Sequence, residues 1–371
     1  MIKNLINLLF GNKVQILSNN EKNYFFLNDA TTPELKLNNI NPKHPKYMPF
    51  LVKDFDPRSY SLIRDKDYKN LNCYFIICNL LNYYQSILFK IDGGKIKQWF
   101  SNNPLFVDPF ARNGMNAFYD RKSLIFMYKN SFLKKRIVYT CESVDIVSHE
   151  LGHAILDSLR PDFWNMQSIE IWSYHEAFAD INAFVNVTNN DLIIEKIFEE
   201  TNLNLSKSNI ASRIGEDMAS SISADKFCLR DLSADIDYIN PSVIDEKSAI
   251  SLNPHDFGKI FSCCWYAIFV EIFNFEINNK INPIDAFKIA KEECYLCLIK
   301  STKIVPCNKD FFKTLSKIFL LNIKDKYYKI TENILEKRKL IKKEIRYLSN
   351  KDFNMLNISK KDCVFKMKNN E

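Results

Sequence analysis

The sequence predicts an α+β fold, with a mixed α/β N-terminal half and an all-helical C-terminal half. Three observations carry that expectation. Up to about residue 140, proline-punctuated stretches alternate with short β-branched and aromatic runs. From Ser143 onward, apolar residues recur at helical spacing in one stretch after another. No Ser/Gly-rich linker or internal repeat separates the halves. The chain has 371 residues, 46% hydrophobic and 26% charged, which is enough for a core and a soluble surface. Its length allows two or three domains. The divisions expected are an α/β region over 1–160, a helical region over 161–325 and a basic helical extension over 326–371.

Taken in order, Pro33, Pro42, Pro45, Pro49 and Pro57 argue for extended or looped chain, with β-like pieces such as Tyr24 to Leu27. Leu71 to Phe89 is free of charge and long enough to span a membrane, but Asn72, Asn79, Asn82, Gln85 and Ser86 form one polar stripe. That pattern predicts a half-buried helix from about Cys73 to Phe89, and no transmembrane segment. Gly93-Gly94 marks a turn, and Pro104 and Pro109 frame a loop. SLIFMY, Ser123 to Tyr128, and RIVYT, Arg136 to Thr140, read as strands. A helix follows over about 143–159, with Asp145 in its first turn and Pro161 beyond its end. Further helices are expected over about 169–187, 257–275, 284–300, 309–323 and 327–348.

Composition excludes several classes. The seven glycines stand at 11, 93, 94, 114, 152, 215 and 258, so neither G-x-x-x-x-G-K-[ST] nor G-x-G-x-x-G can be assembled. The net charge is only +7, and no strip of basic and aromatic residues suits nucleic acid. Much of the excess lies in EKRKLIKKEIR, Glu336 to Arg346. Its ordinary reading is a solvated helix face; a partner docking on these basic helices is the alternative. Ten cysteines lack a disulfide framework. Cys263-Cys264 and Cys294-x-x-Cys297 read as buried thiols, with a metal site on the latter pair as the lesser alternative. This usage fits a reducing compartment. The apolar patch Leu5 to Phe10 is too short for a secretory signal, so the location expected is cytoplasmic, or exported without a recognisable signal.

The chemistry lies in His149-Glu150-Leu151-Gly152-His153. Residues i and i+4 share a helix face, so both imidazoles can reach one metal ion. Glu150 is rotated off that face, where it can hold a water and take its proton. The next helix offers Glu176 and Asp180, again i and i+4. Glu176 can complete a His₂Glu site for Zn²⁺, and Asp180 can accept the free ring N–H of a ligand histidine. His175 is a lesser candidate for third ligand, since its position beside Glu176 points it elsewhere on a helix.

With these residues in hand, the chain resembles the thermolysin-like zinc metallopeptidases, the gluzincins. The match includes H-E-x-x-H followed by E-x-x-x-D. Asn116-Ala117-Phe118-Tyr119 is similar to the family's N-A-F-W/Y segment, and Ile214-Gly215-Glu216-Asp217 to its I-G-E-D. Leu229-Arg230-Asp231-Leu232-Ser233 is similar to L-R-x-M-S, and Pro254-His255-Asp256-Phe257-Gly258 to V-H-x-x-S-G. The resemblance covers about residues 70–300. It implies a zinc site between the two halves, on His149, His153 and Glu176. It implies Glu150 as the base, His255 as an oxyanion donor, and Asn116, Ala117 and Arg230 as holders of a peptide substrate. Departures are also visible. His153 and Glu176 are 23 positions apart, slightly more than the family's gap. The family's second oxyanion donor, a tyrosine, has no counterpart in register among Trp164, Trp172 and Tyr174. Of its double calcium site Asp145 and Glu216 fit, but the expected glutamate falls near Val187, so tight calcium binding is not expected.

The function expected is a zinc endopeptidase acting on a peptide or protein. One alternative is a zinc-binding homologue that has lost turnover and serves as a binding module. The other is a zinc aminopeptidase, although no acidic group for a substrate amine is evident near Asn116 to Tyr119.

Overall fold

The computed structural model describes residues 48–55, 65–93 and 98–342. The expectations for Leu5 to Phe10, for Tyr24 to Leu27 and for the tail beyond residue 342 lie outside these. The fold contains both helices and sheets, as an α+β chain should. Strands β1 (Phe50–Val52), β2 (Leu105–Asp108), β3 (Ala117–Tyr119) and β4 (Ser123–Phe126) form one sheet in the order β1-β2-β4-β3. The first three neighbours along it run parallel, and β3 closes one edge antiparallel to β4. SLIFMY does not make a single strand. The Met127 N–H leaves the β4 ladder for the Asn116 carbonyl at 3.1 Å and Thr140 Oγ1 at 3.0 Å. The chain then starts β5 (Tyr128–Ser131), which pairs with β6 (Arg136–Tyr139).

Among the described residues eight longer helices, α1 to α9 without the seven-residue α5, frame the rest. Helix α1 (Asp65–Asp92) exceeds its predicted span at both ends, because charged residues extend it past the apolar run. Its polar stripe partly faces protein: Asn79 donates to Asn186 Oδ1 at 3.0 Å, and Asn72 to the Glu142 carbonyl at 3.4 Å. Helix α2 (Val144–Leu159), α3 (Ile169–Val187) and α4 (Asp191–Thr201) follow, then the short α5 (Glu216–Ile222). The last four are α6 (Lys259–Asn278), α7 (Pro283–Ile304), α8 (Phe311–Asn322) and α9 (Asp325–Lys337). Between them, β7 (Arg213–Ile214) pairs with β8 (Arg230–Asp231). Helix α4 lies outside the helical spans expected from sequence, and Asn190 caps it by accepting from the Leu192 N–H.

One contiguous apolar core runs from Met48 to Ile341 and crosses the expected boundary at residue 160. Among the described residues one helical stretch, Pro254–Asn278, is long and apolar enough to cross a membrane. Here its residues Trp265 and Phe269 are buried against Phe184. All nine described cysteines are free thiols, Cys294 and Cys297 fully buried.

The helix predicted over 327–348 stops at Lys337. Lys339 adopts a left-handed conformation, φ 62°, and the chain turns so that Leu340 and Ile341 are buried. The basic end of α9 is then met by the chain's own acidic loop. Asp235 pairs with Lys337 and Arg338, and Asp237 with Lys339.

Candidate metal centre

Two helices build the centre because one position between them lacks a side chain. A Cβ at Gly152 would stand 2.8 Å from Ala179 Cα, so only glycine lets α2 and α3 approach this closely. His149 then meets Glu176 and Asp180, while His153 meets Glu176 alone, as two helices running in opposite directions require. His149 Nε2 lies 3.3 Å from Glu176 Oε2, and His153 Nε2 lies 3.7 Å from Oε1. One ligand atom from each of His149, His153 and Glu176 falls within 4.8 Å of the other two. Among the described residues no other group of His, Cys, Asp and Glu converges in this way, so the cysteine pairs form no such cluster.

The residues around the triad orient it. Asp180 Oδ1 lies 2.9 Å from His149 Nδ1, which directs the imidazole's Nε2 toward Glu176. Arg230, on β8, holds Asp180 through both its Nε at 2.6 Å and its Nη2 at 2.7 Å. The guanidinium expected to hold substrate is therefore also the counter-ion of the second carboxylate. A buried Asp180 needs that cation, since an unpaired buried charge is costly. The turn of helix Pro254–Phe257 brings His255 to the site, with its Nε2 3.3 Å from Glu176 Oε2. Asn253 caps that turn and also lies 3.2 Å from His255 Nδ1. Gly258 is required here too, because its Cβ would stand 2.7 Å from the Ser173 carbonyl.

Burial and charge set the protonation of these groups. Burial works to lower His149, but Asp180 and Glu176 raise it to about 10. Burial lowers His153 to about 3. Burial pushes Glu150 up to about 7, close to neutrality. For Glu176 burial acts upward, yet His153 and His149 hold it well below the usual carboxylate range. Two buried carboxylates, Glu150 and Asp180, and the partly buried Glu176 thus share His149 and the partly buried guanidinium of Arg230. Glu176 Oε2 is buried and completes no hydrogen bond. A divalent cation fits this donor set of two imidazoles and a carboxylate, and would give that oxygen the partner it lacks.

The chain matches no protein-family model and no curated protein.

Two cavities flank the triad, of about 420 and 450 Å³. Asn116, Ala117, His149, Glu150 and His255 line both. Glu150 and the residues expected to hold substrate therefore share one cleft, and Arg230 opens on the first cavity only. His175 corrects its expected orientation. It lines the second cavity with Trp172 and Glu176, which lie three residues before it and one after it on the same broad helix face. It is not part of the converging triad.

Sequence reasoning missed the residues that fix the edge strand. Tyr119 donates to Asp157 at 2.9 Å, and Arg121 reaches the same carboxylate at 3.0 and 2.7 Å. These bonds tie the β3–β4 hairpin to α2 and hold Asn116 and Ala117 beside His149. Asp157, at i+4 from His153 on an otherwise apolar helix, was the available signal.

Proposed function

We propose that the protein is a zinc-dependent peptide hydrolase with a thermolysin-like arrangement. The observation that carries this reading is the convergence of His149, His153 and Glu176 in one cleft with Glu150 and the free edge of β3. A zinc ion held by the triad would supply Lewis acidity and lower the pKa of water in the cleft.

The chain's own residues account for the rest. Among the described residues β3 pairs on one side only, so its outer edge can hydrogen-bond an extended peptide as an added strand. Asn116 and Ala117 stand at that edge. Glu150, raised to about 7, is suited both to take a proton from the attacking water and to return it to the leaving amine. His255 is exposed at the rim and held by Asn253, where it can donate to the oxygen that gains negative charge. Arg230 faces the substrate from the first cavity while fixing Asp180.

A second reading is a zinc-binding module with impaired turnover. One observation favours it: the nearby tyrosine hydroxyls are committed elsewhere, Tyr119 to Asp157 and Tyr174 to Thr302. A single experiment separates the readings. Purified protein is incubated with a broad peptide mixture, stripped with chelator, and reloaded with zinc. Cleavage that disappears and returns, and that falls about 10²–10⁴-fold in Glu150→Gln, is the expected result. A Gln variant as fast as the wild type rejects the mechanism, and zinc uptake without cleavage favours the module.

A further inference from the structure

The second cavity is aromatic in a way the first is not. Of the chain's four tryptophans, Trp99 and Trp265 are buried. The other two, Trp164 at 38% exposure and Trp172 at 44%, both stand on the wall of this one cavity, joined by Phe118 and Tyr119. Large exposed aromatics gathered at one place mark a surface that a ligand covers. At the inner wall lies His175, only 7% exposed. Neither of its ring nitrogens has a hydrogen-bond partner. An imidazole always presents at least one donor, and a neutral one presents an acceptor as well, so the cavity wall holds unmet polar capacity. Trp164 stands edge-on to His175, ring centroids 5.7 Å apart. Trp164 belongs to a single helical turn, Phe163–Asn165, and is partly exposed, with Tyr119 edge-on to it at 5.8 Å.

We propose that this cavity selects the substrate: it takes an aromatic side chain of the bound peptide against Trp164 and Trp172, and His175 reads the hydroxyl of a tyrosine there. The inference rests on the peptide-hydrolase reading and names its substrate class. The aromatic walls account for ring against aliphatic selectivity, since aromatic pairs add to plain area burial. His175 accounts for hydroxyl selectivity. A site with buried polar groups that only a hydroxyl satisfies rejects the analogue lacking it, because the groups then stay unpaired. His175 acts here as a specificity-determining residue and moves no proton.

The test uses the full chain carrying Glu150→Gln, loaded with zinc, so that peptides bind without turnover. Three peptides identical except for Tyr, Phe or Leu at one position, scanned along the peptide, are titrated by calorimetry and tryptophan fluorescence. At one position Tyr is expected to bind about tenfold tighter than Phe, and Phe tighter than Leu. Adding His175→Phe abolishes the Tyr advantage and leaves the Phe affinity, with zinc content unchanged. If that variant does not fold, Trp172→Ala, at an exposed position, serves instead and weakens Tyr and Phe peptides together. Equal affinities at every position, or a Tyr advantage that survives His175→Phe, overturn the proposal. Tyrosine selectivity in binding, together with no cleavage of the same peptides by the wild type, upholds the cavity and rejects the hydrolase. Zinc-dependent cleavage without aromatic preference does the reverse.

Discussion

Two clusters of buried carboxylates lie on α2 and its neighbours, and they are neutralised in different ways. Around His149, Glu176 keeps one buried oxygen without a hydrogen bond. Around Asp145, every carboxylate has a protein partner. Asp145 accepts from Ser143, from the Ile146 N–H at 2.7 Å and from the Gly215 N–H at 2.5 Å. Glu216 pairs with Arg213, and Asp217 with Arg136 at 2.8 Å and Lys134 at 3.5 Å. The difference is between a cluster closed by the chain's own donors and cations and one that keeps an oxygen without a hydrogen bond. It also bears on the incomplete calcium site noted in the sequence: Arg213 stands against Glu216, where a metal would otherwise be needed.

The largest effect separates the clusters by metal alone. Chelation is expected to empty the His149 centre and lower stability by about 4 kcal/mol relative to protein held at zinc a thousandfold above its Kd. Millimolar calcium added to zinc-loaded protein is expected to leave Tm unchanged. A calcium-dependent rise would show that the Asp145 cluster is not closed.

Arg213→Met breaks the closed cluster instead. It removes the cation beside Glu216, whose side chain is only 10% exposed, and leaves that charge unpaired. A loss of about 3–5 kcal/mol in urea unfolding is expected. Combining it with Glu216→Leu should recover most of that loss, because both charges then go together. Zinc content should stay the same in both variants. A single variant as stable as wild type would mean that the pair contributes nothing.

Asp180→Asn tests the open cluster at its second layer. The carboxylate that orients His149 and pairs with Arg230 becomes neutral, and zinc affinity is expected to fall about 10–100-fold. Competition with a chromogenic chelator reads this directly. An unchanged affinity would assign Asp180 to Arg230 alone.

How far these clusters were legible in the sequence depends on the range of the contacts. His149, His153, Glu176 and Asp180 were legible because i,i+4 spacing puts each pair on one helix face. The helix spans over 143–159 and 169–187 were legible from apolar period and Pro161. Contacts between distant segments were not. Nothing local tells that Arg230 will find Asp180, that Arg213 will close on Glu216, or that Tyr119 and Arg121 will converge on Asp157. Those pairings follow from which buried charges the packing brings together. His175 is intermediate. Its spacing of three from Trp172 places both on one helical face, a signal that adjacency to Glu176 obscured. The break of SLIFMY at Met127 depends on Asn116 and Thr140, both remote, and strand pattern alone carries no trace of it.

The smallest effect concerns a third set of charges, exposed where the other two are buried. At the end of α9, Asp237 meets Lys339 at 2.9 Å, with the lysine side chain 68% and the aspartate 40% exposed. Exposed pairs of this kind contribute under about 1 kcal/mol and are screened by salt. The backbone contact beside it is of another type: the Tyr238 N–H donates to the Arg338 carbonyl at 2.9 Å, and the Tyr238 hydroxyl reaches Glu170 on α3 at 2.7 Å. Asp237→Asn is therefore expected to lower stability by a few tenths of a kcal/mol at low salt, and by nothing measurable at 1 M salt. Tyr238→Phe should cost more, about 1–3 kcal/mol, and do so at both salt concentrations, because it leaves buried Glu170 short of a donor. If the two variants responded alike to salt, the loop from Arg230 to Tyr238 would be held by surface charge, and burial would not be what distinguishes the three clusters.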